Sequence, residues 1–223
     1  ARLKPFTSIL PKPLMPVNNK PIIKYIIDGF QSQGIKNIFI AINYKAEIIK
    51  AYFHEMKLNK KFKFIEEKIP LGTCGALKLL NTKLKKDFIV TNCDTILDVD
   101  LGNLYKFHLK NKNQITLVVS AKEFVVPYGV CNLNKKGLLS FMQEKPKYNH
   151  LINTGLYVLH PSIISLIPKN KKYNFNNLLH KAIISKKKIG IYPIDDKAWI
   201  DVGQWPEYKK AITKLRYKIG KIH

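Results

Sequence analysis

Apolar residues are spaced along this chain in two ways, which predict helices and buried strands. Residues 21–34 have apolar side chains at three- and four-residue intervals, with proline at the start and glycine at the end. This pattern predicts an amphipathic helix. Continuous β-branched and aromatic runs at 37–42 and 62–65 predict short strands on either side of a second helix at 46–56. This alternation of strands and helices along the chain favours a mostly parallel, doubly wound sheet.

The same patterns predict further elements down the chain. Strands are expected at 88–90, 115–120, 152–158 and 189–192, the last of them edge-like. Helices are expected at about 76–80, 101–110, 161–167, 175–185 and 205–218. We see no internal repeat and no low-complexity linker, so 223 residues predict one large domain.

Near Tyr128 the predicted elements change from alternating strands and helices to short strands joined by a turn. Runs at 128–133 and 138–143 flank a turn in which Gly137 supplies a positive φ, and they predict a β-hairpin. We expect Glu144-Lys145-Pro146 to lead into a polar loop before the strand at 152–158. This inserted β subdomain is expected to form the floor of a polar pocket.

The first 19 residues are rich in proline, and we expect them to be irregular. The sequence Leu10-Pro11-Lys12-Pro13 predicts a stiff, extended strap, because each proline restricts its own φ and the conformation of the residue before it. Such a strap would hold Lys12 in one place as a phosphate clamp. An ordinary surface lysine explains this segment equally well.

Two aspartates stand where apolar segments end. Asp94 follows the strand at 88–90, and Asp201 lies in the apolar segment 199–203. Ligands of open α/β sheets bind outside the carboxyl ends of the strands, so Asp94 is placed to hold a metal against a phosphate. The simpler alternative is that Asp94 only caps a turn. In 66–76, Gly72 and Gly75 would let a flat ligand approach the backbone, although an ordinary strand-to-helix turn is the favoured alternative.

Composition changes this picture only slightly. The net charge of +24 suggests polyanionic partners, but only two of the 39 basic residues are arginines, and the lysines are dispersed. We therefore expect neither nucleic acid nor a membrane as a partner. No apolar run approaches the ~20 residues of a membrane span, and no secretory leader opens the sequence, so we expect a cytoplasmic protein. Cys74, Cys93 and Cys131 have no metal-ligand spacing, and we expect reduced, partly buried thiols.

Taken together, these segments resemble the sugar-1-phosphate nucleotidyltransferases, in particular the mannose-1-phosphate guanylyltransferase-like branch. The resemblance extends from Arg2-Leu3-Lys4-Pro5-Phe6-Thr7 and the Pro-Lys-Pro strap, through Leu71-Gly72-Thr73 and Glu144-Lys145-Pro146, to Trp199-Ile200-Asp201-Val202-Gly203. It implies a Rossmann-like (GT-A-like) α/β three-layer sandwich with a mixed, mostly parallel central sheet. It also implies transfer of a nucleotidyl group from an NTP, first of all GTP, to a sugar 1-phosphate with Mg²⁺ and release of pyrophosphate.

The resemblance also implies roles for individual residues. Asp94 and Asp201 would bind Mg²⁺, and the catalytic residues would be Arg2, Lys12, Asp94 and Lys145. The nucleotide would contact Leu3, Glu67, Gly72, Thr73 and Asn92. The sugar phosphate would contact Gly129, Glu144, Lys145, Asn153 and Thr154.

One departure from the family pattern concerns the start of the chain. The family's glycine-rich loop ends in an arginine that Arg2 matches, but the glycines before it are absent. We therefore expect residues 1–223 to be a nucleotidyltransferase domain that begins inside this loop, with room for an upstream domain. The guanylyltransferases of legionaminic acid synthesis are a specific match. A non-catalytic nucleotide-sugar regulator and a nucleic-acid-binding protein are the rival hypotheses, and homo-oligomerisation stays open.

Overall fold

The structure, a computed structural model, describes residues 3, 5–58, 62–80, 84–203 and 205–219, with side chains as far as residue 213. The helices are α1 (Phe6–Ile9), α2 (Ile22–Ser32), α3 (Ala46–Glu55), α4 (Gly72–Gly75), α5 (Leu101–Lys110), α6 (Phe175–Ile184) and α7 (Trp205–Ile219). The strands are β1 (Pro16–Val17), β2 (Lys20–Pro21), β3 (Ile38–Ile42), β4 (Phe62–Glu66), β5 (Phe88–Thr91), β6 (Thr95–Leu97), β7 (Ile115–Val125), β8 (Val130–Leu133), β9 (Leu139–Gln143), β10 (Lys147–Leu159), β11 (Ile189–Ile194) and β12 (Trp199–Asp201). No helix in these described ranges is both long enough and apolar enough to cross a membrane.

The central sheet has the strand order β11-β7-β10-β5. Strand β10 is antiparallel to both β7 and β5, whereas β11 is parallel to β7. Three of the four strands therefore run in one direction and β10 runs against them, as expected for a mixed, mostly parallel sheet. Strands β3 and β4 form a separate parallel pair, and β6 and β12 an antiparallel pair.

Both faces of the central sheet are covered, which accounts for the three layers. Leu156 and Val158 of β10 pack with the buried residues Leu101 and Leu104 of α5. Their neighbours Tyr157 and Leu159 face the other side and pack with a cluster that includes Phe175 and Leu178 of α6. Side chains alternate across a strand, so consecutive apolar residues indicate a sheet buried on both faces.

The inserted region forms longer strands than the sequence predicted. Strand β7 runs on to Val125, and β10 begins at Lys147, so the expected polar loop after Pro146 was wrong. Residues 147–151 become extended because they pair with residues 121–125 of β7. The β8–β9 hairpin continues this ribbon, and we call residues 121–151 the arm.

The expectation of an irregular first segment with an extended strap was also wrong. Phe6–Ile9 is a short helix, and Lys12–Leu14 forms a single 3₁₀ turn. Pro11 is extended, with φ −64° and ψ 143°, and leads directly into that turn. The side chain of Lys12 is therefore held by a turn that starts after Pro11. The cysteines are free as expected, but Cys93 and Cys131 are exposed and only Cys74 is buried.

A buried histidine lies on α5 near the start of β5. His108 is 1% exposed, and its Nδ1 lies 2.8 Å from the hydroxyl of Thr116. Its Nε2 lies 3.7 Å from the carboxylate of Asp87, and His160 approaches the same carboxylate at 4.0 Å. Burial lowers the pKa of His108 and outweighs the opposing effect of Asp87.

We expect His108 to make folding stability depend on pH. Its pKa is lower in the folded than in the unfolded chain, so the unfolded state binds more protons as the pH falls below about 6.5. Stability is therefore retained above that pH and lost on acidification, by at most about 1.4 kcal/mol per pH unit for one proton. Urea unfolding of His108→Gln at pH 7.5 and 5.5 should show a smaller loss than the wild type. The exposed His180→Gln is the control, and an equal loss in all three proteins would contradict this prediction.

Candidate active site

The pairing of β6 with β12 brings Asp94 and Asp201 together. Asp94 lies between the end of β5 and the start of β6, and Asp201 is the last residue of β12. Strand β12 pairs with β6 so that Asp201 lies opposite Thr95, and the Val202 amide donates to the Asp94 carbonyl at 3.0 Å. The ladder therefore places two aspartates, distant in sequence, at the same edge of the fold.

The two carboxylates and Lys12 converge on Gly203. A Cβ atom on Gly203 would lie 2.8 Å from Asp201 Oδ1, 2.9 Å from Lys12 Nζ and 3.0 Å from Asp94 Oδ2. Lys12 forms an ion pair with Asp94, and the side chains are 31% and 23% exposed. The Gly203 amide donates to Asp201 Oδ1 at 2.7 Å and orients this carboxylate. The cluster is accessible to solvent and has no room for a side chain at position 203.

The donors of this cluster fit a hard divalent cation. Carboxylate oxygens are the protein ligands that Mg²⁺ prefers, and one or two of them usually act together with phosphate oxygens and water. Within the described ranges, no group of three or more histidine, cysteine or acidic side chains forms a metal site. Asp94 and Asp201 would therefore supply part of a coordination sphere and leave the rest to a ligand.

The loop that leads into α4 is held by the segment before α6. One carboxylate oxygen of Glu67 accepts from the Leu71 amide at 2.8 Å and closes the turn. The Thr73 amide donates to Asn174 Oδ1 at 3.1 Å, and the Thr73 hydroxyl accepts from the Phe175 amide at 3.0 Å. The loop is therefore fixed at both ends before any ligand is considered.

The glycines of this loop are required by the protein's own packing. Gly72 has φ +80°, and a Cβ there would lie 2.5 Å from Asn174 Oδ1 and 2.8 Å from the Tyr173 carbonyl. A Cβ on Gly75 would lie 2.9 Å from the Leu71 side chain. The space that these glycines leave is thus filled by neighbouring protein atoms, and access for a ligand is not needed to explain them.

A chain of contacts links this loop to the end of β5. Phe175 stacks on Tyr157 with ring centroids 3.9 Å apart, and the Tyr157 hydroxyl accepts from Asn153 at 2.7 Å. Asn153 Oδ1 in turn accepts from the amide of Gly155, which has φ +82°. A Cβ on Gly155 would lie 2.4 Å from the Asn92 side chain. Asn92 and Asn153 therefore lie in one packed group around Gly155, and Asn92 stands two residues before Asp94 in the chain.

Three of the proposed sugar-phosphate residues, Gly129, Glu144 and Lys145, lie on the arm. A Cβ on Gly129 would lie 3.1 Å from Glu144 Oε2, and Lys145 Nζ is 3.9 Å from Glu144 Oε1. Glu144 and Lys145 are 63% and 66% exposed. The structure brings these three together but does not place Lys145 in an ion pair with Asp94 or Asp201.

Two predicted site residues have surroundings other than those expected. The side chain of Leu3 is fully buried in a cluster with Met15, Val17 and Val202, so only its backbone is left to contact a nucleotide. Thr154 is 2% exposed, and its hydroxyl donates to the Val118 carbonyl at 2.8 Å. Arg2 lies outside the described residues.

A comparison with protein families identifies the family to which this chain belongs. The family model for nucleotidyl transferases matches residues 1–218. The chain belongs to the nucleotidyl transferase family. This assignment confirms the resemblance inferred from the Pro-Lys-Pro, Glu-Lys-Pro and aspartate segments, and with it an enzyme of the nucleotidyltransferase class.

Individual members of the family are similar over most of this chain. The D-glycero-alpha-D-manno-heptose 1-phosphate guanylyltransferase of Campylobacter jejuni is 35% identical over 208 residues, covering 93% of this chain and 91% of that protein. The mannose-1-phosphate guanyltransferase of Yarrowia lipolytica is 36% identical over 219 residues, which make up 91% of this chain and 58% of that protein. The crystal structure of HddC from Yersinia pseudotuberculosis complexed with GMP-PN has a TM-score of 0.74 at 26% identity, covering 96% and 94% of the two chains.

Sequence reasoning missed two residues of the site. Gly203 was seen only as the end of the Asp201 segment, although an Asp-x-Gly sequence signals a backbone amide returning to its carboxylate. Tyr157 was counted as one more apolar residue of a strand. Its contacts with Asn153 and Phe175 depend on the register of β10 and on the packing of α6, and no local signal indicates them.

Proposed function

We propose that this nucleotidyltransferase transfers GMP from GTP to the 1-phosphate of a manno-configured hexose or heptose and releases pyrophosphate. The observation that carries the proposal is the convergence of Asp94, Asp201 and Lys12 at Gly203. The names of the Campylobacter and Yarrowia relatives support guanine and a manno configuration.

The chemistry needs charge compensation and no protein nucleophile. A phosphate oxygen of the sugar 1-phosphate is already an anion, and it attacks the α-phosphorus of GTP in line as pyrophosphate leaves. Two anions must meet, and negative charge grows on the leaving oxygens. Lys12, held beside Asp94, would bind and orient the triphosphate. When bound by Asp94 and Asp201, Mg²⁺ would supply further neutralisation of the phosphate charge.

The loop at 67–75 is our proposed site for the base. Leu71 uses one oxygen of the Glu67 carboxylate, and the other oxygen would accept from the amino group of guanine, a donor that adenine lacks at that position. Thr73 is fixed by its bonds to Asn174 and Phe175, so it and the preceding Gly72 would present a rigid backbone edge to the base. Asn92 would contact the nucleotide next to Asp94.

The arm and the strand β10 would bind the second substrate. Lys145, with Gly129 and Glu144, would hold the sugar phosphate from the arm side. Asn153 is oriented by its bonds to Tyr157 and Gly155 and would contact a sugar hydroxyl. Thr154 would contribute its backbone, because its side chain is buried.

The proposal is tested by measuring pyrophosphate release for five NTPs with mannose 1-phosphate, D-glycero-α-D-manno-heptose 1-phosphate and N-acetylglucosamine 1-phosphate. We expect GTP and a manno-configured sugar phosphate to give the fastest turnover, with none in EDTA. Preference for another base would contradict the role of Glu67, and preference for the amino sugar would contradict the manno configuration. Binding of GTP without turnover in any combination would support the non-catalytic nucleotide-sugar regulator.

A further inference from the structure

The turn between β3 and α3 holds a lysine in an unusual backbone conformation. Lys45 has φ 56° and ψ 37°, in the left-handed region that residues other than glycine rarely adopt. This conformation costs energy, and residues that adopt it are concentrated at ligand clamps and other functional positions. The contacts of the Lys45 side chain show what the conformation makes possible.

The amine of Lys45 binds the end of helix α1. Its Nζ donates to the carbonyls of Ser8 and Ile9 at 2.5 and 2.6 Å. The last carbonyls of a helix have no partner within the helix, and a lysine at that end also complements the helix dipole. The ring of Tyr44 lies against the same amine, with its centroid 5.3 Å from Nζ. Lys45 thus ties α1 to a turn that is 36 residues away from Ile9 in the chain.

Helix α1 depends on such a contact, because little of it is packed. It has four residues, and the side chains of Phe6 and Ile9 are 52% and 72% exposed. The buried Thr7 hydroxyl has no hydrogen-bond partner among the described residues, and Phe6 touches Trp205 edge-on with ring centroids 5.4 Å apart. A single helical turn is not stable by itself in water. The two bonds from Lys45 therefore help to fix the position of α1.

The position of α1 matters because this helix lies between two parts of the proposed triphosphate site. Leu3, whose backbone is a proposed nucleotide contact, accepts from the Thr7 amide at 3.3 Å. At the other end, Ile9 stands three residues before Lys12, whose side chain belongs to the cluster at Gly203. A shift of α1 would therefore displace both nucleotide contacts.

The same turn also holds the loop at 67–75, our proposed site for the base. Asn43 and Glu67 directly follow the parallel strands β3 and β4, whose carboxyl ends lie side by side. The Asn43 side-chain amide donates to the Glu67 carbonyl at 2.6 Å, and the Glu67 amide donates to the Ile42 carbonyl at 2.9 Å. The turn therefore contacts the proposed base site through Asn43 and α1 through Lys45.

Given the proposed function, on which this inference rests, we propose that Lys45 is a positioning residue for the nucleotide. It sets the distance between the proposed base site and Lys12, the proposed triphosphate contact. Its amine is occupied by two carbonyls and an aromatic ring, so Lys45 acts through α1 and not as a phosphate ligand.

Steady-state kinetics of Lys45→Met and Lys45→Arg test this role. Methionine keeps the length of the side chain but cannot donate, so we expect the KM for GTP to rise about tenfold, less than the roughly hundredfold that a shift of about 1 Å can cost. The KM for the sugar phosphate at saturating GTP and the preference for GTP over ATP should not change. Arginine can donate to both carbonyls and should restore most of the wild-type KM.

A double-mutant cycle separates positioning from direct phosphate binding. If Lys45 acts through the segment that holds Lys12, Lys45→Met should weaken GTP binding about tenfold in the wild type but less than about twofold in a Lys12→Met background. Calorimetry with GTP and Mg²⁺ measures these dissociation constants without turnover. Equal losses in the two backgrounds would overturn the proposal. If the wild type prefers another NTP, the proposed function fails but the cycle is run with that NTP, and a wild type that binds no NTP would overturn both.

Glycine substitutions at the two ends of α3 keep the test valid if the methionine variant misfolds. Lys57, beyond the other end of this helix, is exposed and also has a positive φ of 52°. Glycine adopts this conformation without strain, so Lys45→Gly and Lys57→Gly should both fold. Lys45→Gly should lose GTP affinity about tenfold, and Lys57→Gly should bind GTP like the wild type. Normal affinity in Lys45→Gly, or an equal loss in Lys57→Gly, would contradict the positioning role.

Discussion

Replacing Asp94 with asparagine is expected to lower the rate of pyrophosphate release by at least about a hundredfold. The substitution removes the negative charge that Lys12 contacts and that would hold the metal with Asp201. Loss of one preorganised electrostatic contact in a transition state typically costs about 3 kcal/mol or more. The effect on folding should be within about 1 kcal/mol, because partly exposed ion pairs contribute little.

Asp28→Asn is the matched control for this experiment. Asp28 is also an aspartate paired with lysines, Lys20 and Lys24, but it lies on α2 and takes no part in the cluster at Gly203. Initial rates with GTP and thermal unfolding should be measured on both variants. Near-normal turnover by the Asp94 variant would refute its role as a metal ligand, whatever its stability.

Replacing Gly203 with alanine is expected to reduce turnover by about a hundredfold with little change in melting temperature. The new methyl group would lie within 3.0 Å of Asp94 Oδ2, Lys12 Nζ and Asp201 Oδ1, so all three side chains must move. They are polar side-chain ends at a solvent-accessible site, and moving them costs little folding energy. Misplacement of reacting groups by about 1 Å can cost a hundredfold in rate.

Gly29→Ala provides the comparison for the alanine substitution. Gly29 lies within α2, and a Cβ there would meet no atom within 4 Å. This variant should retain full turnover and gain up to about 1 kcal/mol of stability, because alanine favours the helix. If Gly203→Ala also retained full turnover, the crowding at Gly203 would have no catalytic meaning.

The helices and the buried strands could be predicted from the local spacing of apolar residues. The stripe that includes Ile22, Ile23 and Ile27 predicted α2, and Gly34, with φ +84°, lies just beyond its end. The two-sided apolar run of β5 predicted a strand of the central sheet. Each of these patterns lies within a single helix or strand, so the sequence of that element is sufficient to predict it.

The arm could not be predicted in the same way. Residues 147–151 contain lysine, asparagine and histidine and look like a loop, yet they pair with residues 121–125 to extend β10. The prediction that an extended strap holds Lys12 was wrong, because a 3₁₀ turn takes the place of that strap. The conformation of residues 147–151 depends on a partner strand that is distant in the chain. The conformation of residues 12–14 depends on a single turn that the proline content does not specify.

The sequence by itself determined the family, the mixed α/β sheet and the pair Asp94 and Asp201, because residue types in a fixed order carry that information. Only the tertiary structure decided that Asp94, Asp201 and Lys12 meet at Gly203, and that the glycines beside Thr73 face protein atoms. Those facts are distances between side chains that are far apart in the chain, from 82 residues for Lys12 and Asp94 to 189 residues for Lys12 and Asp201. They arise from the pairing of β6 with β12 and from the packing of the loop on the segment before α6, which no stretch of the chain encodes alone.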